Sequence, residues 1–384
     1  MSNPTPRKRL PVNPSLEHLQ KQAKRLSRQD HTLKLAEAQY QLAREYGCKN
    51  WAELAHMVEA MSPGADQLYN VKREPEPLPV AARNRDFPLI QKILQQDNFT
   101  QNDLDAGLGH AVWYGDESNW SQRKIIADLL LEHGADPDGQ YGSNYGPIVF
   151  GTGECISVEG LEYLIEAGAN VTFKPIKTKY GQHSPMSHVL GTYIRSKNDE
   201  KHRYIDLLIK HGAHVPPEVT PPILAIHRGD AQQLGKLIET DLLLLKRTFT
   251  DMPYGNIILH GATLLHCAFE FGEIACIAEL LKRGADINAP AEIIDGIGGQ
   301  TPIFHAMAIN QGDGFGTLSY LIQQHGKQID MSVSATWRRP GEEQSTPMTP
   351  LEYAEHASRE DESSWKRATQ EEVALLRTLA ENAI

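Results

Sequence analysis

No apolar run in this 384-residue chain approaches the roughly 20 residues that a membrane-spanning helix needs. The opening residues, MSNPTPRKRLPVNPS, carry basic groups with no hydrophobic segment behind them, so no export signal is read there and a cytoplasmic protein is expected. Cysteine is scarce. Cys48, Cys155, Cys267 and Cys276 are widely scattered and form no CxxC pair, which argues against a disulfide framework or a zinc ribbon and for small core residues. HExxH and the nucleophile elbow GxSxG do not occur. The Gly-rich strings GTGE at Gly151 and GDGFG at Gly312 lack the preceding strand and following Lys-Ser or Lys-Thr of a phosphate loop. Ser, Asp, Glu and His are plentiful, but nothing in their order pairs them for general acid–base work. No catalytic residue, metal or cofactor is therefore expected.

What the chain does contain is a soluble, globular composition, 40% hydrophobic and 23% charged. Its length exceeds what one compact core usually holds, so several domains or an elongated repeat are expected. Charge is uneven. Residues 1 to 60 hold ten Lys and Arg against six Asp and Glu, leaving −15 on the remainder of a chain whose net charge is −11. A basic head precedes an acidic body, which would repel a nucleic-acid backbone and favour basic or amphipathic protein partners.

The body is punctuated. LLLEHGADPD from Leu129, YLIEAGANV from Tyr163, LLIKHGAHV from Leu207, LLKRGADIN from Leu280 and YLIQQHGKQID from Tyr320 each carry an apolar run, a polar residue and then a glycine. Gly134, Gly168, Gly212, Gly284 and Gly326 are separated by 34, 44, 72 and 42 residues, the longest interval being two units with one marker lost. Glycine here suits the left-handed residue that ends a helix. A second marker precedes each run: TPPILA at Thr220, TPIFHA at Thr301 and TPLEYA at Thr349, with SPMSHV at Ser184, GPIVFG at Gly146 and TLLHCA at Thr263 as variants. A hydroxyl can cap a helix start, and proline fits its first turn because the N–H it lacks has no partner there. Each unit announces two antiparallel helices.

These markers resemble the ankyrin repeat, whose signature is T-P-L-H-x-A, a second helix and a Gly-Ala-Asp/Asn turn at a spacing of about 33 residues. The resemblance implies an all-α solenoid of stacked helix pairs over residues 78–384. About eight units are expected, near 78–100, 103–141, 146–180, 184–217, 220–255, 262–298, 301–346 and 349–383, the first and last acting as caps. Leu129, Leu130, Leu164, Leu207, Leu208, Leu280 and Leu281 are the expected interior. The sixteen histidines follow the repeat: His133, His211 and His325 precede the glycine. His266 takes the signature's fourth position, where the family uses it for the repeat's internal hydrogen bonding.

Residues 1–61 read as a basic module of three short helices, PSLEHLQKQAKRLSRQ, HTLKLAEAQYQLAREYG and NWAELAHMVEAM, and 62–77 as a linker. The strings REYGCKNWAELAHMVEA and SLEHLQKQAKRL resemble a helical module found ahead of bacterial ankyrin arrays. Lys21, Lys24, Arg25 and Arg28 recur at helical spacing near Arg7, Lys8 and Arg9, which opens a nucleic-acid contact as the alternative to a solvated polar face.

Insertions follow several second helices: FKPIKTKYGQHS, RTFTDMPYGNIILHG, APAEIIDGIGGQ and SVSATWRRPGEEQS. In the family this connection forms a finger beside the concave face that binds partners. Aromatics and Arg are the usual interface anchors, which gives Trp113, Tyr114, Tyr141, Tyr145, Tyr180, Tyr254, Trp337, Arg338 and Arg339 as expected contacts. The function implied is binding of another protein by an adaptor, inhibitor or immunity-type scaffold, with no membrane partner. A nucleic-acid-associated regulator is the alternative, and an enzyme or small-ligand receptor a third class. The RGD at Arg228 falls at a turn between two helices and is read as coincidence.

Overall fold

The protein is described from a computed structural model, covering residues 19, 20, 23, 24, 26, 27, 33–46, 48, 50, 51, 54, 55, 58, 77–96, 99–113, 119–141, 146–178, 181–192, 194–250, 252, 259–307, 315–336, 346–358 and 368–382. After α1 (Leu35–Glu45), the described helices fall into eight antiparallel pairs. Unit 1 is α2 (Pro77–Asn84) with α3 (Phe87–Gln95), and unit 2 is α4 (Gln101–Trp113) with α5 (Trp120–Glu132). Unit 3 is α6 (Ile148–Cys155) with α7 (Val158–Glu166), and unit 4 is α8 (Pro185–Leu190) with α9 (Asn198–Lys210). Unit 5 pairs α10 (Pro221–His227) with α11 (Ala231–Thr240), and unit 6 pairs α12 (Leu264–Glu270) with α13 (Ile274–Lys282). Unit 7 pairs α14 (Pro302–Ala306) with α15 (Phe315–His325), and unit 8 pairs α16 (Pro350–Ala357) with α17 (Gln370–Asn382). Among the described residues one two-stranded hairpin occurs, β1 (Ile176–Thr178) antiparallel to β2 (Gly181–His183), built from the insertion after unit 3.

The first helix of units 4 to 8 starts where the hydroxyl marker places it, but by two routes. Ser184 and Ser187, Thr263 and His266, and Thr349 and Glu352 form reciprocal caps, each side chain taking up an exposed backbone N–H of the other. Thr220 and Thr301 make no such bond. Their third helical residues are Ile223 and Phe304, which cannot reach back, so there the fixed φ of proline starts the helix alone.

One apolar core runs through the stack from Leu78 to Leu379, each unit closing the face left open by its neighbour. A separate small cluster joins Leu19, Ala23, Leu42, Ala43, Cys48, Leu54 and Val58 in the N-terminal segment. In the leucine pairs expected inside, Leu130, Leu164, Leu208 and Leu280 are fully buried, whereas Leu129, Leu207 and Leu281 only pack against the core's edge. Adjacent helical residues point about 100° apart, so one of each pair faces the neighbouring unit and the other leans outward.

Polar turns link the units on one edge. Asp136, Asn170, Asp286 and Asp330 each accept the N–H of the residue two places on. Asp138 accepts the Asn170 N–H of the next unit at 2.7 Å, and Asn288 that of Asp330 at 2.9 Å. Gly134, Gly168, Gly212 and Gly284 take positive φ, as expected. Gly326 does not: it opens a 3-10 turn, Gly326–Gln328. The segment is two residues longer than its counterparts, so Asp330 fills the turn position of Asp286 and the helix is wound down through the extra residues rather than stopped by a left-handed glycine.

Gly284, at φ 93° with open space around its missing Cβ, tests this distinction. Gly284→Val is expected to cost about 1–2 kcal/mol through backbone strain alone and to lower the thermal midpoint by several degrees, read by circular dichroism. Gly326→Ala, free of that strain, should have much the smaller effect.

Candidate interaction surface

Units 2 and 3 are pinned by an aromatic cluster at the ends of their first helices. The Trp113 indole N–H donates to the Ile148 carbonyl at 2.6 Å, and its ring covers Gly151, where a Cβ would sit 2.0 Å from the indole. GTGE therefore lies inside α6, its glycine being the surface on which the indole lands. Tyr141 meets that ring edge-on at 4.2 Å, with its hydroxyl 3.1 Å from His110 Nε2. Phe150 stacks on His188 at 4.2 Å. Trp113 is 7% exposed, so it is a packing residue and not the exposed anchor expected from sequence. Tyr141 is half-buried. Tyr114, Tyr145, Tyr180, Tyr254, Trp337, Arg338 and Arg339 lie outside the described residues.

His266 shows how the histidines serve the stack. The Thr263 N–H donates to its Nδ1 at 3.1 Å, which leaves the proton on Nε2, and Nε2–H donates 2.9 Å to the Gln300 carbonyl of the next unit. Desolvation by burial, aided by nearby His305, lowers its pKa to about 3. Burial likewise lowers His188 to about 3, with His183 contributing, and His110 to about 4, with Arg83 contributing. Among the described residues no group of three or more His, Cys, Asp or Glu could hold a metal ion. Burial pushes the Cys276 thiol up to about 12 and Cys155 up to about 11, so both stay protonated and weakly nucleophilic at neutral pH. The RGD string is absorbed locally: Arg228 pairs with Asp206 at 2.6 Å, and Asp230 caps α11 through the Gln233 N–H.

The fingers of units 5 to 7 are joined to one another by main-chain hydrogen bonds. Phe249 and Ala262 pair within the unit 5 finger, and the Glu292 N–H of unit 6 donates to Gly261 at 3.0 Å. The Thr248 hydroxyl also bonds the Glu292 carboxylate. Gly298 and Thr336 exchange both N–H bonds between units 6 and 7, at 2.8 and 2.9 Å. Ala335 and Met348 do the same at 2.9 Å, tying unit 7 to the start of unit 8. Gly298 is obligatory, because a Cβ there would lie 2.1 Å from the Glu292 carbonyl oxygen. Thr336 and Met348 are thus both held by main-chain bonds.

Sequence reasoning missed the exposed aliphatics on this edge. After α11 no glycine turn follows; Asp241 caps a 3-10 turn, Leu242–Leu245, through the Leu243 N–H and holds Arg247 at 2.6 Å. Leu242 is 67% and Leu243 70% exposed, as is Ile293 at 69% in the unit 6 finger, whereas Leu244 is buried. The available signal was the run itself: four successive leucines in a turn of three residues per revolution cannot all face one core.

Residues 260–292, spanning α12, α13 and the start of the unit 6 finger, match the ankyrin repeat family. No curated protein matches the chain. Among solved structures, the crystal structure of the human ASB11 ankyrin repeat domain is 15% identical with a TM-score of 0.30, over 78% of this chain and 97% of that chain. The fold is an all-α, ankyrin-type stack of helix pairs, and the ankyrin repeat is a general protein-interaction scaffold and not an enzymatic one. No helix among the described residues is long and apolar enough to cross a membrane.

The buried imidazoles set an acid limit. Because His110, His188 and His266 have folded-state pKa values near 4, 3 and 3, below the unfolded value near 6.5, the unfolded chain binds protons first on acidification. Their stabilisation is complete above about pH 6.5 and is lost as the pH falls toward 4 to 3. The thermal midpoint should drop between pH 7.5 and 5, and His188→Phe, which keeps the ring stacked on Phe150, should flatten that slope.

Proposed function

We propose that this protein is a non-catalytic binding scaffold, an adaptor, inhibitor or immunity-type protein, which holds one protein partner on the finger edge of units 5 to 7. The observation that carries this reading is the exposure of Leu242 and Leu243, in the 3-10 turn that leads into the unit 5 finger, and of Ile293 in the unit 6 finger, all two-thirds exposed and in segments held by main-chain bonds. Exposed apolar side chains on a fixed frame bury area on docking without first paying to order a loop. Lys246, Arg247, Glu292 and Asp295, exposed and close to them in sequence, would supply a mixed polar rim. Trp337, Arg338 and Arg339 follow directly on the pinned Thr336, and their residue types suit anchors. Tyr141, half-buried after the second helix of unit 2, is a further expected contact. Within this reading residues 1–61 form a separate basic module, 62–77 a linker and 78–384 the binding array.

The test is a partner isolated by cross-linking in the source cells, then titrated by calorimetry. Leu242→Asp/Leu243→Asp and Trp337→Ala/Arg338→Ala/Arg339→Ala should each weaken binding at least about tenfold, or about 1.4 kcal/mol, with the thermal midpoint little changed. A chain lacking residues 1–61 should bind as before. Loss of binding on that truncation alone, or recovery of nucleic acid as the bound species, would transfer the function to the basic module.

A further inference from the structure

In a repeat stack each unit ordinarily touches only its neighbours. Here one connection does more. The turn between paired helices is three residues in unit 5, Arg228–Asp230, and three in unit 6, Phe271–Glu273, but seven in unit 4, Gly191–Lys197. From this segment and the first turns of α9, side chains reach past unit 5 to unit 6. Arg195 Nε–H donates to the Glu270 carbonyl at 3.0 Å, its Nη2 lies 3.6 Å from the Glu270 carboxylate, and its Nη1 bonds the Thr192 carbonyl. Asn198 donates its side-chain amide to the Phe271 and Gly272 carbonyls, both at 3.2 Å, and His202 Nε2 lies 2.9 Å from the Glu273 carboxylate.

The same network takes in the units on either side. Glu270 uses its other oxygen on His305 Nδ1 of unit 7 at 2.8 Å. Unit 5 is clamped beneath: the Lys201 ammonium bonds His227 Nδ1 at 3.2 Å, and the His202 ring covers Gly229, where a Cβ would sit 2.2 Å from it. Two cations lie over the Phe271 ring, Arg195 4.6 Å and Lys201 4.4 Å from its centre. Arg195, Lys201, His227, Glu270, Glu273 and His305 are all buried. Removing Arg195 or Glu270 leaves the other charge buried and uncompensated, a larger penalty than an ordinary unit-to-unit contact carries.

We propose that units 4 to 7 open only as a single cooperative block, locked by a strap, residues 191–202, that skips over unit 5. Local opening of α10 and α11 without release of the strap would strand Lys201 against an absent His227. Opening of unit 6 alone would strand Arg195. The finger bonds among units 5, 6 and 7 close the opposite edge of the same block.

Native-state hydrogen exchange of the full chain, read by mass spectrometry, tests this. In the wild type, peptides from 221–240 and 264–282 should share one level of protection. Arg195→Met, similar in length and uncharged, should raise exchange in both by at least about tenfold while leaving 101–132 unchanged, and Asn198→Ala should do so by a smaller factor. Should Arg195→Met fail to fold, Asn198→Ala carries the test. A rise confined to 185–210, an equal rise in 101–132, or a wild type in which 221–240 exchanges well ahead of 264–282 would each overturn the proposal.

Discussion

No helix pair of this chain can bury its apolar side by itself, and the rest of the structure depends on how each pair is closed by the next. Helices of five to thirteen residues are near or below the length at which an isolated helix holds in water. Their persistence comes from contact across units: Leu130, Leu164, Leu208 and Leu280 turned wholly inward, and side chains that answer the polar groups of the following turn. His266 expresses this in one residue, since its ring caps its own helix on one nitrogen and holds the next unit's carbonyl on the other. A neutral imidazole alone offers one acceptor and one donor in that geometry, which is why burial and a low pKa accompany its structural role.

The fold was largely legible because its markers act locally. Pro302 and Pro350 start helices through a fixed φ, and Gly134 and Gly284 stop them through a positive one, so both effects are written in the residue itself. Gly326 misled for the same reason: its identity fits a helix stop, while the two extra residues that make the stop unnecessary are visible only against the register of Asp330. Trp113 misled differently. Its burial depends on Gly151, which the chain brings beneath the ring from 38 positions away, and no local pattern reports such a pairing.

The fingers were legible in kind and their mutual pairing was not. Insertions after second helices marked the fingers correctly as the elaborated part of the chain. Nothing in APAEIIDGIGGQ or SVSATWRRPGEEQS says that Gly298 and Thr336 pair, because main-chain pairing is nearly indifferent to side-chain identity. The buried charge network was hidden for a similar reason. Arg195 and Glu270 are ordinary surface residue types, separated by 75 positions, and only the tertiary path of the seven-residue connection places them together.

That connection is also a ruler. Solenoids commonly change length by gaining or losing whole units, because each new unit meets the same kind of neighbour on both sides. Between units 4 and 6 that freedom is gone. An extra helix pair inserted there would carry Glu270 away from Arg195 by about one helix-packing distance, 8–10 Å, beyond the span of a fixed seven-residue bridge already in use. Deleting unit 5 would fold the bridge back on itself. The number of units between Arg195 and Glu270 is thus fixed by chain geometry.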